Sequence, residues 1–428
     1  MSIKNKIKRV FGDKGISKLK AIRGSYRNIQ SKMRDRSDCK LISSSWESCK
    51  VFEDNSKHVF FGYYDIQQFN KAQDKLLLMK VDRYAETKKD PAELIWVDMK
   101  NGDEHRITST AAWCWQQGAR LRWHPFENDI VMFNDCLDGR YITRLWNIAD
   151  NKEIGRLPRA LYDITPDMKY GFSLNYSRLQ RLRPGYGYNS LPDDTQNVKA
   201  PQNDGLFRVN LQTGETSLMI TLAKLSELSP ESIELWNYIN HISVSPNGEK
   251  LIFFHIWTPD IKARWMVALY CINADGTELK CLEHKYRTSH YDWIDEKHIL
   301  TTASGFENHE SRYIIYNVET GARKILSGKM LNNDGHPTVL GDKKTVITDT
   351  YPLKRCRQKL YTFNMESGDD ELILDIFSDP RMYEEKRCDL HPRVTPDGKY
   401  ITIDSTFRKG KRSVYLLKKR KYEHSLLL

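Results

Sequence analysis

Histidines recur at regular steps in the second half of this chain of 428 residues, which contains only 12 histidines. His241, His290, His336 and His391 follow one another at steps of 49, 46 and 55 residues, and His58 precedes a comparable run upstream. Neutral imidazoles that converge on one point bind manganese, zinc or iron well. The spacing therefore predicts one imidazole per structural repeat and a divalent metal site where they meet. Structural hydrogen bonding between repeats is the alternative.

Asp389 lies two residues before His391. In a strand, residues i and i+2 face the same side. The carboxylate could therefore be a further metal ligand or orient the imidazole. A solvated or turn-capping aspartate is the alternative.

An insertion rich in arginine, glycine and tyrosine contains Arg178, Arg181, Arg183 and Tyr186. It is too irregular for a strand. Arginines bind carboxylates through two hydrogen bonds, and tyrosine rings stack on sugars. The segment predicts contacts to an acidic sugar, and a loop with solvated arginines is the alternative.

Aromatic and amide side chains also cluster at Trp115 and Gln116, a composition that suits polar sugars. Tyr64 and His58 complete the candidate substrate-binding set. Packing of the aromatic residues between repeats is the alternative. No nucleotide-binding glycine loop or serine-hydrolase elbow occurs in a convincing context, so those enzyme classes are not favoured.

Short apolar runs separated by turns must position these residues. The turns Thr165–Lys169, Ser245–Glu249 and Thr395–Lys399 share one pattern, with proline at the second position and aspartate or asparagine at the third. Each precedes an apolar run, and a second turn type recurs between further runs. One repeat of about 50 residues therefore predicts a four-stranded antiparallel sheet, and radial repetition of such sheets is a β-propeller.

The repeats predict an all-β domain over 40–428, in which residues 40–57 provide a strand that closes the ring. Seven blades are expected, over 58–110, 111–159, 160–228, 236–286, 287–330, 331–378 and 379–421.

Positive charge is concentrated at the N-terminus. The formal net charge is +11, and residues 1–36, with twelve basic and two acidic side chains, account for +10 of it. Apolar residues at helical spacing in 1–39 predict a basic amphipathic helix that docks on an anionic membrane or on a partner enzyme. A solvated leader is the alternative, and nucleic-acid binding is disfavoured because stacking aromatics are few. The absence of an export signal and of paired cysteine motifs predicts a cytoplasmic location, with the leader on the inner membrane face.

The order of motifs resembles the oligogalacturonate lyase family over about residues 236–420. The motifs that carry the resemblance are Ile239–Pro246, Phe253–His255, Ile272–Thr277, Ser289–Trp293, Asp334–Pro337 and His391–Gly398. The resemblance implies a seven-bladed propeller that cleaves uronic-acid oligosaccharides by β-elimination. It also implies that His241 is the base, and that His290 and His391 bind a divalent metal, typically manganese.

Three positions depart from that family. A glutamine ligand that the family has shortly upstream of Asp389 is unmatched, with Lys386 and Arg387 in its vicinity. This chain has Asp389 where the family has a second histidine, and His336 is the expected compensating ligand. The family's substrate-binding arginine has no counterpart near residues 204–205, so Arg178, Arg181 or Arg183 is the expected replacement. Arg178 and Arg181 are the candidates for a catalytic role, and Arg183 is a candidate for substrate binding.

Three further motifs, Phe61–Asp65, Leu182–Tyr188 and Asp349–Pro352, resemble bacterial propellers associated with surface-polysaccharide biosynthesis. The expected function is a metal-dependent lyase acting on uronic-acid glycans. A non-catalytic scaffold, or a sugar-binding protein, in polysaccharide biosynthesis is the alternative.

Overall fold

A computed structural model describes residues 39–261, 264–306, 310–328, 331–408 and 410–420. The predicted basic helix over 1–39 lies outside the described residues except for Cys39, which begins a strand, and the rest of it stays a prediction. The described chain forms seven antiparallel sheets, six of four strands and one of five. The predicted all-β propeller with seven blades is confirmed.

The first four blades each contain four strands, connected in chain order. Blade one contains β3 (Lys57–Phe60), β4 (Lys75–Asp82), β5 (Ala92–Asp98) and β6 (Glu104–Thr110); blade two contains β7 (Arg122–Trp123), β8 (Ile130–Leu137), β9 (Arg140–Asn147) and β10 (Lys152–Leu157); blade three contains β11 (Asp163–Ile164), β12 (Tyr170–Ser173), β13 (Gly205–Asn210) and β14 (Thr216–Thr221); blade four contains β15 (Trp236–Val244), β16 (Lys250–Thr258), β17 (Met266–Asn273) and β18 (Lys280–Glu283).

Blade five has four consecutive strands, whereas blades six and seven each include one strand from the N-terminal part of the described chain. Blade five contains β19 (Arg287–Trp293), β20 (His298–Ser304), β21 (Ser311–Asn317) and β22 (Arg323–Ile325); blade six contains β23 (Thr338–Val339), β24 (Thr345–Asp349), β25 (Arg357–Asn364), β26 (Asp370–Phe377) and β1 (Cys39–Leu41); blade seven contains β27 (Arg393–Val394), β28 (Tyr400–Ser405), β29 (Ser413–Lys419) and β2 (Trp46–Phe52).

Strand β2 is the outer strand of blade seven and pairs antiparallel with β29, with Trp46 opposite Lys419. Strand β1 adds a fifth strand to blade six by pairing with β26. The two ends of the described chain are therefore joined by backbone hydrogen bonds, and the ring is closed.

The recurring proline turns connect the first and second strands of their blades. In the blade-seven turn, Thr395 Oγ1 donates to Asp397 and accepts the backbone N–H of Tyr400 at 3.0 Å. Gly398 has a φ of +67°, a conformation that glycine adopts without steric cost. This local network explains why the pattern repeats from blade to blade.

The insertion between β12 and β13 is partly helical, which the sequence did not predict. Helix α1 (Tyr176–Leu182) begins at Asn175, whose side chain accepts the backbone N–H of Arg178. A second helix, α2 (Leu222–Leu228), follows β14, and three short 3-10 helices cover Pro230–Ser232, Lys354–Cys356 and Glu384–Lys386. Among the described residues, no helix is long and apolar enough to span a membrane.

Candidate functional site

The four regularly spaced histidines converge at the centre of the ring. His241 lies in β15 and His290 in β19, whereas His336 and His391 immediately precede the short inner strands β23 and β27. The ring centroid of His336 lies 4.1 Å from that of His290 and 4.4 Å from that of His391. The centroids of His241 and His290 are 6.3 Å apart. The structure thus brings one imidazole from each of four blades into one cluster, hereafter the histidine cluster.

Two imidazoles of the cluster are held through Nδ1 alone. His336 Nδ1 donates to Asp349 Oδ1 at 2.8 Å, and His391 Nδ1 donates to the carbonyl oxygen of Gly62, also at 2.8 Å. In both rings Nε2 is buried and has no hydrogen-bond partner among the described residues. A proton on Nδ1 leaves a lone pair on Nε2, which is the arrangement of a metal-binding histidine with its outer hydrogen bond.

His290 is oriented in the same way. Its Nδ1 donates to Asp334 Oδ1 at 3.0 Å, and that oxygen also accepts the hydroxyls of Ser289 and Thr302, both at 2.7 Å. The hydroxyl of Tyr351 lies 3.4 Å from His290 Nε2. Sequence analysis missed Asp334 and Asp349 as orienting carboxylates, although each lies in a motif that it singled out.

Asp389 lies beside two of these imidazoles. One ligand atom each from His336, Asp389 and His391 fall within 4.8 Å of one another, close enough to share a metal ion. The Asp389 carboxylate is also bound by Arg387, whose Nε donates at 2.9 Å and whose terminal Nη2 donates at 2.6 Å. A carboxylate has about four acceptor positions, so this ion pair leaves room for a further ligand.

The protonation of the cluster follows from its burial. Burial, reinforced by nearby positive charge, holds the pKa values of His241 and His391 well below the ordinary value. Burial also lowers the pKa of His290, against the opposing effect of Asp334. At His336 burial acts in the same direction, but the adjacent Asp349 carboxylate outweighs it and the pKa is raised. Neutral imidazoles are the form that binds metals and accepts protons.

His241 differs from the other three because neither a carboxylate nor a backbone carbonyl oxygen of the described residues accepts its ring N–H. Its backbone has a φ of +56°, within a register shift of β15, and its Nδ1 lies 3.3 Å from the hydroxyl of Tyr162. The ring stacks on Tyr63 at a centroid distance of 5.3 Å and meets the edge of Tyr186 at 6.1 Å. With 6% of its surface exposed, it is the most accessible histidine of the cluster.

Two adjacent tyrosines beside the cluster differ in their hydrogen bonding. The Tyr64 hydroxyl donates to the carbonyl oxygen of Tyr291 and accepts its backbone N–H, both at 2.9 Å. Both hydrogen bonds of the Tyr64 hydroxyl are made to the backbone of blade five. Tyr64 therefore has a structural role, and its predicted contact with substrate is not supported. The Tyr63 hydroxyl is buried without a partner among the described residues, and its ring lies 4.8 Å from that of His391. Sequence analysis did not identify Tyr63.

The structure does not support a catalytic role for Arg178. Its guanidinium is 1% exposed and donates to five acceptors, four of them backbone carbonyl oxygens. All its N–H groups are used in fixing residues 195–199 and β15. Arg181 donates to Asp193 at 2.7 Å and stacks on Trp236. No described contact joins either arginine to the histidine cluster.

His58 and Trp115 are also structural. His58 Nε2 donates to the carbonyl oxygen of Arg83, and Nδ1 accepts the backbone N–H of Arg412, both at 3.0 Å. Trp115 is buried against His58 and Phe60. The predicted contacts of these two residues with substrate are not supported, because both ring nitrogens of His58 are occupied and Trp115 is only 2% exposed.

Gln116, Arg183 and Tyr186 line an open cleft of about 440 Å³ next to the histidine cluster, together with Trp265 and Arg387. The Arg183 guanidinium packs between the rings of Tyr186 and Trp265, 5.1 and 4.8 Å from their centroids. It has no ion-pair partner in the described part of the chain. Gln116 Nε2 donates to the carbonyl oxygens of Glu385 and Arg387, so it holds the far wall of the cleft.

The fold is similar to solved structures of oligogalacturonate lyase. An oligogalacturonate lyase in complex with manganese is 17% identical with a TM-score of 0.62, and the match covers 89% of this chain and 98% of that one. An oligogalacturonate lyase from Vibrio parahaemolyticus is 13% identical with a TM-score of 0.60, over the same shares of the two chains. No family model matches the chain, and neither does any curated protein. The expected resemblance to the oligogalacturonate lyase propeller is confirmed at the level of the fold, whereas the association with surface polysaccharides receives no support.

Proposed function

We propose that this propeller is a divalent-metal-dependent lyase that cleaves uronic-acid oligosaccharides by β-elimination. The observation that carries the proposal is the pair of buried, unpartnered Nε2 atoms of His336 and His391. An unpaired buried polar atom is costly, and two of them in adjacent rings call for a shared ligand.

The residues present fit a metal ion. His336, His391 and Asp389 would hold it, and His290 lies beside them with its own orienting carboxylate. Two imidazoles and a carboxylate suit manganese, zinc or iron. When bound, the metal supplies positive charge that neutralises the substrate carboxylate and acidifies the proton on the adjacent carbon.

His241 would be the base. Its low pKa keeps the imidazole neutral near pH 7, so it can accept the proton from C5 of the uronate. The electron pair of the broken C5–H bond forms the C4–C5 double bond, the C4–O4 bond breaks, and O4 leaves as an alcohol after taking up a proton. Tyr63, stacked on His241, keeps one face of the imidazole dry and fixes its orientation.

The adjacent cleft would bind the sugar. Arg183 provides an uncompensated guanidinium for a carboxylate, and Tyr186 and Trp265 provide flat surfaces for sugar rings. Tyr186 lies between this cleft and His241, so a ring held there is next to the base.

The test uses the full chain, digested pectic oligosaccharides and added Mn²⁺. We expect ultraviolet absorbance from the conjugated double bond of the product, and its loss in His241→Ala while Mn²⁺ binding persists. His336→Ala and His391→Ala should lose Mn²⁺ binding and activity together. His298→Ala is the matched control, because this exposed histidine pairs with Asp295 away from the cluster. Absence of Mn²⁺ binding by the unaltered chain would contradict the proposal.

Sugar binding without turnover is the second candidate. It is favoured by the depth of the cluster, in which His290, His336 and His391 are each 3% exposed or less. This candidate predicts that oligouronates bind without any change in absorbance and that Arg183→Gln weakens binding, whereas His241→Ala does not.

A further inference from the structure

A second cleft lies over blades two and three, separate from the cleft beside the histidine cluster. It has a volume of about 530 Å³ and is bounded by the β8–β9 turn at Gly139, the segment Pro158–Ala160 and the start of the insertion at Ser173–Ser177. None of these residues lines the first cleft. The proposed function makes no use of it.

Arg159 enters this cleft with unsatisfied hydrogen-bonding capacity. Its guanidinium stacks on Phe207, 3.6 Å from the ring centroid, and its Nε is buried without a hydrogen-bond partner. Within the described residues its side chain forms neither a hydrogen bond nor an ion pair. A partly buried guanidinium in that state is costly unless an anion joins it.

The nearest buried carboxylate is already occupied by other groups. Asp204 accepts the side-chain amide of Asn175 at 2.9 Å, the backbone N–H of Gly205 at 2.7 Å and the hydroxyl of Thr195 at 3.3 Å. Burial lowers the pKa of Arg159, although the charges of Asp204 and Asp194 oppose it. Neither carboxylate is close enough to form an ion pair with this guanidinium.

Apart from Arg159, the polar side chains that the cleft offers to a ligand are those of Arg140 and Asp194. The hydroxyls of Ser173 and Ser177 donate to backbone carbonyl oxygens, so they are not available as donors. Arg140, exposed on the rim, forms no ion pair among the described residues, and Asp194 adds an acceptor on the other side. Two arginines and one carboxylate leave a net charge of +1, which suits one acidic group surrounded by hydroxyls.

We propose that this cleft is a second binding site for an acidic sugar, with the ligand carboxylate on Arg159 and its hydroxyls toward Asp194. Charged, paired hydrogen bonds from a guanidinium make this the strongest contact in the cleft. The lining of this cleft contains no residue of the histidine cluster, so the proposed binding site can be tested independently of the proposed function.

Calorimetric titration with D-glucuronate tests the proposal. The parent is Arg183→Gln, which removes the guanidinium of the first cleft, and the second variant adds Arg159→Gln. We expect the parent to bind D-glucuronate with millimolar affinity, and the added substitution to weaken binding about tenfold or more. Adding Arg156→Gln instead should change nothing, because that exposed arginine pairs with Glu153.

Three results would overturn the proposal: no binding by the parent, binding that survives Arg159→Gln, or equal binding of uncharged D-glucose. Hydrogen exchange gives a second readout, because D-glucuronate should protect residues 173–177 in the parent and not in the Arg159→Gln variant. Loss of lyase activity in His241→Ala would leave both readouts unchanged, which separates this site from the catalytic one.

Discussion

Asp349 binds His336 twice, accepting both its backbone N–H and its ring Nδ1–H on Oδ1 at 2.8 Å. The other oxygen, Oδ2, accepts the backbone N–H groups of Leu390 and His391 at 3.1 and 3.2 Å. One carboxylate therefore orients one candidate ligand and positions the backbone of the other. Asp349 therefore links blade six to the segment that leads into blade seven.

Replacing that carboxylate should weaken metal binding. In Asp349→Asn, the amide would present N–H to at least one backbone N–H group, and we expect Mn²⁺ affinity to fall about 10- to 100-fold. Titration of Mn²⁺ against the unaltered chain measures the change. Asp397→Asn, in an exposed turn, is the control. Unchanged Mn²⁺ affinity in Asp349→Asn would show that the cluster does not bind metal through His336.

Tyr63 and Tyr64 provide a matched pair. Tyr63→Phe removes a hydroxyl that has no partner among the described residues, so the free energy of unfolding should change little, by less than about 1 kcal/mol. Tyr64→Phe breaks two buried hydrogen bonds and should cost about 2 kcal/mol. Denaturant unfolding measures both. Because Tyr63→Phe keeps the ring that stacks on His241, kcat should also stay unchanged. Equal destabilisation by both variants would refute the assignment.

His58 should make stability depend on pH. Burial, followed by the charge of Arg412, lowers its pKa to about 4 in the folded chain, from an unfolded value of 6.5. Between these values the unfolded chain binds a proton that the folded chain does not. The contribution is fully present above about pH 6.5 and is lost as pH falls toward 4, by about 3 kcal/mol in all.

Urea unfolding at several pH values measures this contribution. His58→Gln should be less stable near pH 7 and flatten the pH dependence over this interval, whereas His298→Gln should not. The same slope in His58→Gln and the unaltered chain would contradict the assignment.

Arg178 should be essential for stability and irrelevant to metal binding. Arg178→Ala removes five hydrogen bonds, although the carbonyl oxygens of Thr195 and Lys199 keep a backbone N–H donor. We expect a loss of about 3 kcal/mol in the free energy of unfolding. Arg178→Lys should recover only part of it, because one ammonium cannot replace a five-donor fork. Thermal unfolding and Mn²⁺ titration check this together. A variant of native stability that loses activity would restore the catalytic interpretation.

The histidine series was predictable because a repeat places equivalent residues at equivalent radii. Once the period was established, convergence of His241, His290, His336 and His391 followed. The partners of those rings could not be predicted in the same way. Asp349 meets His336 across the β23–β24 hairpin, which could be found only once the strand register was known. The carbonyl oxygen of Gly62 reaches His391 only through the closed ring, and nothing in its local sequence indicates that proximity.

The sequence does not distinguish the arginines of the insertion from one another, whereas the structure does. Arg178 and Arg183 are five residues apart and equally suited to a carboxylate, yet one is consumed by five internal acceptors and the other is not. Helix α1 causes the difference, because it turns Arg178 toward β15 and residues 195–199. The Gly- and Tyr-rich composition had indicated an irregular loop, so this orientation was not predictable.

The pairing of β2 with β29 also has a consequence for biosynthesis. Blade seven combines β2, which is made early, with β27, β28 and β29, which are made late, so the ring cannot close before β29 has been synthesised. Gly62 follows the first strand of blade one, and His391 immediately precedes the first strand of blade seven. Their hydrogen bond therefore connects the two blades that meet where the ring closes. A ribosome-bound chain that ends before residue 391 would already carry His241, His290 and His336 but would lack the complete cluster. Completion of the histidine cluster therefore requires synthesis through His391, and products truncated before that residue should be unable to capture metal.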